Sequence, residues 1–234
     1  MFPGVVSAPF SVVKLGPDVR DNGVDGYSGH QPQGNINGFS MTHESGTGGA
    51  PKYGVVSQMP VIGNVSNPLD DLSVSRSAAD QAEVGEYITS LSTGVTVQLA
   101  ATSHVAMYSY AFPATTQANV VVDVSHVLPA QQRENWSQHY VNGNITVGSY
   151  QGSGTYNNGW NLAPDWTIYF CGRFDTPVMD YLTFSGNDTD LFEYGENPTA
   201  SGNARVGAVF PFRSQTLRQG LAYPSSHRPR PVNM

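Results

Sequence analysis

Apolar residues in this chain recur at every second position, and recurrence at three and four is nearly absent. Successive side chains of a β-strand point to opposite faces, so a period of two buries one face of a strand and leaves no helix a continuous apolar stripe. Strands are expected at "SVVKLGPD" (Ser11–Asp18), "NINGFSMTH" (Asn35–His43) and "GVVSQMPVIG" (Gly54–Gly63). The run Gly85–Phe112 reads as consecutive antiparallel strands, with turns at Ser92-Thr93-Gly94 and near Thr102-Ser103-His104. "NVVVDVSHVL" (Asn119–Leu128) reads as a fully buried strand. "HYVNGNITVGSYQG" carries an Asn-Gly turn signal at Asn142-Gly143. "DWTIYFCGRFDTP" (Asp165–Pro177) and "ARVGAVFPF" (Ala204–Phe212) complete some nine or ten strands. The fold class is all-β, a large antiparallel sandwich.

Composition agrees with one β domain. Charged residues are 12% of the 234, and 12 Tyr, 10 Phe and 3 Trp supply aromatic surface to bury, which a disordered chain lacks. The net charge of −7 and the presence of only two lysines, Lys14 and Lys52, leave no basic stripe in residues 1–204 for nucleic acid. No run of about 18 apolar residues spans a membrane. The opening "FPGVVSAPF" has neither a basic n-region nor a long apolar h-region, so no signal peptide is read in it. The segment 213–234 carries four of the eleven basic residues and no acidic one, with prolines placed against strand or helix. It is expected to be a disordered tail outside the domain. Cys171, the single cysteine, is expected as a small buried hydrophobe in "TIYFCGRF".

Motif spacing removes several chemistries. His43-Glu44 begins a zinc signature whose second histidine would fall where Thr47 stands, among glycines and Pro51 that no helix accommodates. "GTGGAPK" lacks the phosphate-loop spacing, and no nucleophile elbow of the G-x-S-x-G kind occurs. The 18 acidic residues show no spacing that marks a glycosidase pair. His104 and His126 lie at strand ends and read as structural. Asp123, flanked by valines, must be hydrogen-bonded or paired if buried, by capping a turn or by an arginine such as Arg173. Four Asn-x-Ser/Thr acceptors, Asn64, Asn135, Asn144 and Asn187, read as surface-loop glycosylation candidates.

The segments "MFPGVVSAPFSVVKLGPDVRDNGVDGYSG" and "INGFSMTHESGTGGAPKYGVVSQMPVIG" resemble the amino-terminal domain of glycoside hydrolase family 92. "AEVGEYITSLSTGVTVQLAATSHVAMYSYAFP", "NVVVDVSHVL", "TIYFCGRFDTP" and "ARVGAVFPF" continue the resemblance in order, over residues 2–212. The form "HESGTGGAPKYG" looks like the fungal branch. The resemblance implies a supersandwich of the galactose-mutarotase type, with residues 1–212 as the domain and its first strand missing. Family members are secreted, calcium-dependent, inverting exo-α-mannosidases acting on mannose-containing glycans. In them this sandwich packs on an (α/α)6 barrel that carries the general acid, the general base and the calcium ligands. The resemblance therefore implies no catalytic residue, metal ligand or cofactor in this chain, and a sandwich that shapes the pocket of an absent partner domain. The alternative is a stand-alone lectin-like module.

Candidate sugar contacts are His43, Glu44, Asp25 and Tyr27: carboxylates and imidazole for hydroxyl groups, an aromatic face for C–H surface. Two departures from the bacterial pattern bear on them. Met41-Thr42-His43-Glu44 stands where that pattern has His-Thr-His-Leu, and no tryptophan precedes Gly26-Tyr27, so Tyr27 is the aromatic available there.

Overall fold

The computed structural model describes residues 6–8, 11–20, 31–43, 53–114, 117–130, 134–159, 162–176, 178, 180–187, 192–213 and 216–222. Sixteen strands form two antiparallel sheets among these residues. One sheet has seven strands in the order β1 (Gly16–Arg20), β2 (Asn35–Ser40), β3 (Ser57–Ile62), β8 (Ala118–Asp123), β15 (Arg205–Phe212), β12 (Leu182–Gly186) and β13 (Phe192–Gly195). The other has nine, in the order β14 (Thr199–Gly202), β9 (Gln138–Thr146), β10 (Gln151–Asn158), β11 (Ala163–Phe174), β16 (Thr216–Ala222), β7 (Val105–Ala111), β6 (Thr96–Ala101), β5 (Glu86–Ser90) and β4 (Gln81–Glu83). A 3-10 turn, Glu134–Trp136, is the one helical element among the described residues.

The expected alternation is visible along β5, β6 and β7. Tyr87, Val97, Leu99, Ala106, Tyr108 and Tyr110 point inward and are buried, while Gln98 and Met107 point out. Both expected turns close these strands: Gly94, at φ 86°, donates its N–H to Leu91 O, and Thr102 bonds Val105 O. Tyr110 also crosses the sandwich, its hydroxyl donating to Gln58 Oε1 at 3.1 Å. β8 is buried on both faces, as its unbroken valines predict. Val120 and Val122 enter the main core, while Val121 joins Val65, Phe184 and Val209 in a second cluster beneath the β3–β4 connection. Burying a Val, Leu or Phe side chain contributes about 1.5–3 kcal/mol.

Four expectations are corrected. Asn142-Gly143 makes no turn: β9 runs straight through it, and the reversal falls at Val147–Tyr150. Glycine is needed at 143 for packing, since a Cβ there would lie 2.6 Å from Ser153 O and 2.9 Å from the Tyr140 hydroxyl. Cys171 is exposed, because β11 alternation that buries Phe170 and Phe174 turns residue 171 outward. Asp123 is hydrogen-bonded and paired as expected, accepting from Ser125 N–H in the turn at 2.8 Å, but its arginine is Arg205 at 2.8 Å rather than Arg173, because register sets Gly207 of β15 beside it and brings the start of that strand over the carboxylate. The sheet also continues past Phe212: β16 inserts between β7 and β11, its buried Leu221 completing the inner face. Residues 223–234 lie outside the described residues.

All four glycosylation candidates are exposed. Asn144 lies within strand β9 rather than a loop, its amide donating to Ser153 Oγ at 2.8 Å.

Candidate functional site

The stretch Gly38–Gly54 leaves β2 and returns to β3 at one end of the seven-stranded sheet, and its base is fixed by a buried carboxylate. Register sets Asp18 of β1 opposite Gly38. The Asp18 side chain is fully buried, and so is that of His43. His43 Nε2 lies 2.6 Å from Asp18 Oδ1, and Nδ1 lies 2.7 Å from Lys14 O. Ser40 Oγ donates to the same Asp18 oxygen at 2.8 Å. On the other side, His126 Nε2 is 3.0 Å from Asp18 Oδ2, at ion-pair distance.

Burial by itself would raise the Asp18 carboxyl. Hydrogen bonding and charge from His126 and His43 outweigh it and hold the group below its ordinary value of 3.8, at about 2. Gly38 lets the strands close around this carboxylate, since a Cβ there would lie 2.9 Å from Ser57 Cβ and 3.3 Å from Asp18 Oδ2.

The return limb of the stretch is equally constrained. Gly54 N–H donates to Thr42 O at 2.7 Å, Val55 N–H to Thr42 Oγ1 at 3.2 Å, and Tyr53 O accepts from Leu128 N–H at 2.9 Å. Tyr53, Gly54 and Val56 have φ of 63°, 62° and 55°. The left-handed region is costly for a β-branched residue, and such strain persists only where surroundings over-determine it. Here Val56 is fully buried, and Leu128 packs so close that a Cβ at Gly54 would meet its Cγ at 2.5 Å.

Beside this limb lies a groove of about 440 Å³, bounded by Thr42, His43, Tyr53, Asn158, Ala163 and Trp166. Tyr53 and Trp166 meet edge to face with centroids 6.0 Å apart, and both rings are partly exposed. Trp166 reaches this rim because it shares the inner face of β11 with Ile168 and Phe170 at the end of the strand, opposite Tyr156.

Of the sequence candidates, His43 is placed at the base of the stretch, with both ring nitrogens facing acceptors inside the sandwich. Asp25, Tyr27 and Glu44 lie outside the described residues. The connection carrying Asp25 and Tyr27 leaves from Arg20 and rejoins at Asn35, whereas the one carrying Glu44 leaves beyond Ser40. These are opposite ends of β2, whose six residues span roughly 20 Å. Sequence reading passed over Asp18 as a site residue, and Tyr53 and Trp166 as aromatics. The carboxylate in "LGPD", between Pro17 and Val19, carried the same signal as Asp123, a charge inside a β segment. The aromatic pair joins residues 113 positions apart and had no local signature.

Residues 1–219 match the family described as the glycosyl hydrolase family 92 N-terminal domain. A curated protein from Arthroderma benhamiae, named an uncharacterized secreted glycosidase, is 27% identical over 149 residues, which cover 56% of this chain and 18% of that one. Among solved structures, a family GH92 alpha-mannosidase from Bacteroides thetaiotaomicron superposes with a TM-score of 0.75 at 22% identity, covering 95% of this chain and 31% of its own. A family GH92 inverting mannosidase from the same species superposes with a TM-score of 0.70 at 20% identity, covering 94% and 28%. The chain thus spans less than a third of each of these relatives.

Proposed function

The chain belongs to the N-terminal domain family of glycosyl hydrolase family 92, and from that premise we propose that it is the sugar-facing sandwich of an inverting α-mannosidase, binding mannosidic glycans without hydrolysing them by itself. The observation that carries this reading is the rim at the Gly38–Gly54 stretch. A rigid base on Asp18 presents a loop next to the Tyr53–Trp166 shelf, and aromatic faces receive the C–H side of a sugar. His43 acts here as a positioning residue that fixes where the loop starts. Glu44, the next residue, is the candidate for a hydroxyl contact, and Asp25 and Tyr27 are candidates from the other connection.

Hydrolysis with inversion needs two carboxyl groups about 6.5–9.5 Å apart, flanking one bond with room for water. The described residues bounding the rim groove include no carboxylate. The acid and base are accordingly assigned to the partner barrel of the parent enzyme, which the sandwich packs against. Calcium, the metal that the family resemblance implies, finds no three converging His, Cys, Asp or Glu side chains among the described residues. Secretion of the parent is supported by the name of the curated relative, and the four exposed sequons suit N-glycosylation in that setting.

The test is release of mannose from α-linked mannobiosides by the purified chain, with calcium and with EDTA. No release is expected in either. Turnover that calcium supports and EDTA abolishes would overturn the reading.

A further inference from the structure

A cleft of about 720 Å³ opens on the outer face of the seven-stranded sheet, where β8 begins and β15 finishes. Register builds its wall. Pro211 stands opposite Asn119, and Val209 opposite Leu182. Residues two apart on a strand share a face, so these four side chains point the same way. Val65, from the connection after β3, and Tyr194, from β13, add to the apolar part of the lining, and Gln117 and Asp180 to the polar part. The volume lies within the range of small-molecule pockets, about 300–1,000 Å³. An apolar concavity on an outer face marks a surface that something covers.

Asn64 indicates what covers it. Of the four Asn-x-Ser/Thr acceptors, Asn64 is the one in this lining. Its side chain is exposed, and so is that of Ser66, the hydroxyl residue of the sequon, while Val65 between them is buried in the second cluster. The main chain on both sides of Asn64 is clamped by the cleft's own residues. Asn119, itself 7% exposed, donates from Nδ2 to Gly63 O at 2.7 Å, and Gly63 N–H donates to Gln117 O at 3.0 Å. The Tyr194 hydroxyl donates to Val65 O at 2.7 Å. Gly63, at φ 89°, supplies the left-handed turn that leads out of β3 into this mount. A group attached to Asn64 therefore starts at the mouth of the cleft, on a backbone held at residues 63 and 65.

We propose that the cleft seats the first N-acetylglucosamine units of an N-glycan carried by Asn64, which then forms part of the outer face of the sandwich. Transfer joins Asn64 Nδ2 to the anomeric carbon of an oligosaccharide carried on a lipid pyrophosphate. The anomeric C–O bond breaks, the lipid pyrophosphate leaves with its electron pair, and one amide proton passes to solvent. N-Acetylglucosamine suits the mixed wall. Its C–H face and acetyl methyl match Tyr194, Leu182 and Val209, and its hydroxyl and amide groups match Gln117, Asn119 and Asp180. Tethering supplies the effective concentration that a weak sugar contact lacks. The proposal rests on the secretion read for the parent enzyme, and not on sugar binding at the rim.

The experiment is expression of the full chain behind a secretion leader in a eukaryotic host, with glycopeptide mass spectrometry at the four acceptors. Asn64 is expected to be occupied. Peptide N-glycosidase acting on the native chain should release its glycan at least tenfold more slowly than that of any other occupied acceptor. Ser66→Ala removes the acceptor at an exposed position. It should lower Tm of the secreted chain by about 2–4 °C and leave the bacterially made, unglycosylated chain unchanged. A bare Asn64 beside another occupied acceptor would overturn the seating and leave secretion standing. No occupied acceptor would sink both. Release from Asn64 as fast as elsewhere, or a Ser66→Ala effect that is absent or equal in the two hosts, would also overturn the proposal.

Discussion

Replacing His43 with alanine is expected to destabilise the chain by about 3–5 kcal/mol, because it leaves a buried carboxylate without its closest partner. In the wild type, His43 Nε2 sits 2.6 Å from Asp18 Oδ1, and neither side chain is exposed. The alanine variant keeps the Ser40 hydroxyl and the His126 contact, which do not replace the lost hydrogen bond in line with Oδ1. Thermal unfolding should fall by roughly 10 °C for a domain of this size. Because the lost group also fixes Lys14 O, the β2–β3 stretch should lose protection in hydrogen exchange at Thr42 and Gly54 before the rest of the sheet. A variant with unchanged Tm would remove Asp18 from the account.

The same network sets an acid limit. Asp18 titrates at about 2 in the folded chain, below its ordinary 3.8. A depressed folded value means that the stabilisation is present in full above about pH 4 and is lost as pH falls through about 2. The shift corresponds to about 2 kcal/mol. Asp18→Asn should therefore flatten the stability profile over that window, whatever it does to stability at neutral pH.

Gly207→Ala is the second large effect. An added Cβ would lie 2.1 Å from Val122 O and 2.2 Å from Phe184 Cζ, in the middle of the seven-stranded sheet where β15 passes between β8 and β12. A backbone oxygen cannot yield as a side chain can, so the strands must separate or Phe184 must leave the cluster it shares with Val121 and Val209. Overpacking of this kind typically costs about 1–3 kcal/mol and occasionally more. Contact with main chain puts this case at the upper end. Gly148→Ala is the control: nothing lies within 4 Å of its Cβ position, and a change within about 0.5 kcal/mol is expected. Equal behaviour of the two variants in urea would contradict the packing of β15.

The strands that sequence reading placed well are those whose burial is one-sided and whose turns are local. Tyr87 to Tyr110 alternate cleanly, and Gly94 sits where a left-handed residue was required. Asn142-Gly143 misled because glycine serves two purposes. The same dipeptide that permits a tight turn also permits a tyrosine hydroxyl to approach a strand, and only the neighbouring strands decide between them. Cys171 misled because its neighbours are apolar on both sides, which hides the phase of alternation. β16 was missed because its arginine, glutamine and glycine gave no apolar run, although Leu221 fills a core position between two neighbouring strands.

The candidate site was legible in part. The glycine-rich stretch and its histidine were visible as a binding-type loop, but the histidine's buried partner lies 25 residues away on another strand. His126 reads as a strand-end histidine until β8 is set beside β3. Pairings of that kind depend on which strands become neighbours, and a period-two pattern carries no information on strand order.

The Trp166 indole resonance during titration with methyl α-mannoside tests the central claim most directly, since Trp166 lies on the shelf beside the Gly38–Gly54 stretch and away from any proposed chemistry. The indole N–H of Trp166, assigned by its disappearance in Trp166→Phe, is predicted to move saturably with sugar while no new free-mannose signal grows. An indole that stays fixed while sugar is added to excess would contradict the assignment of this rim to a glycan.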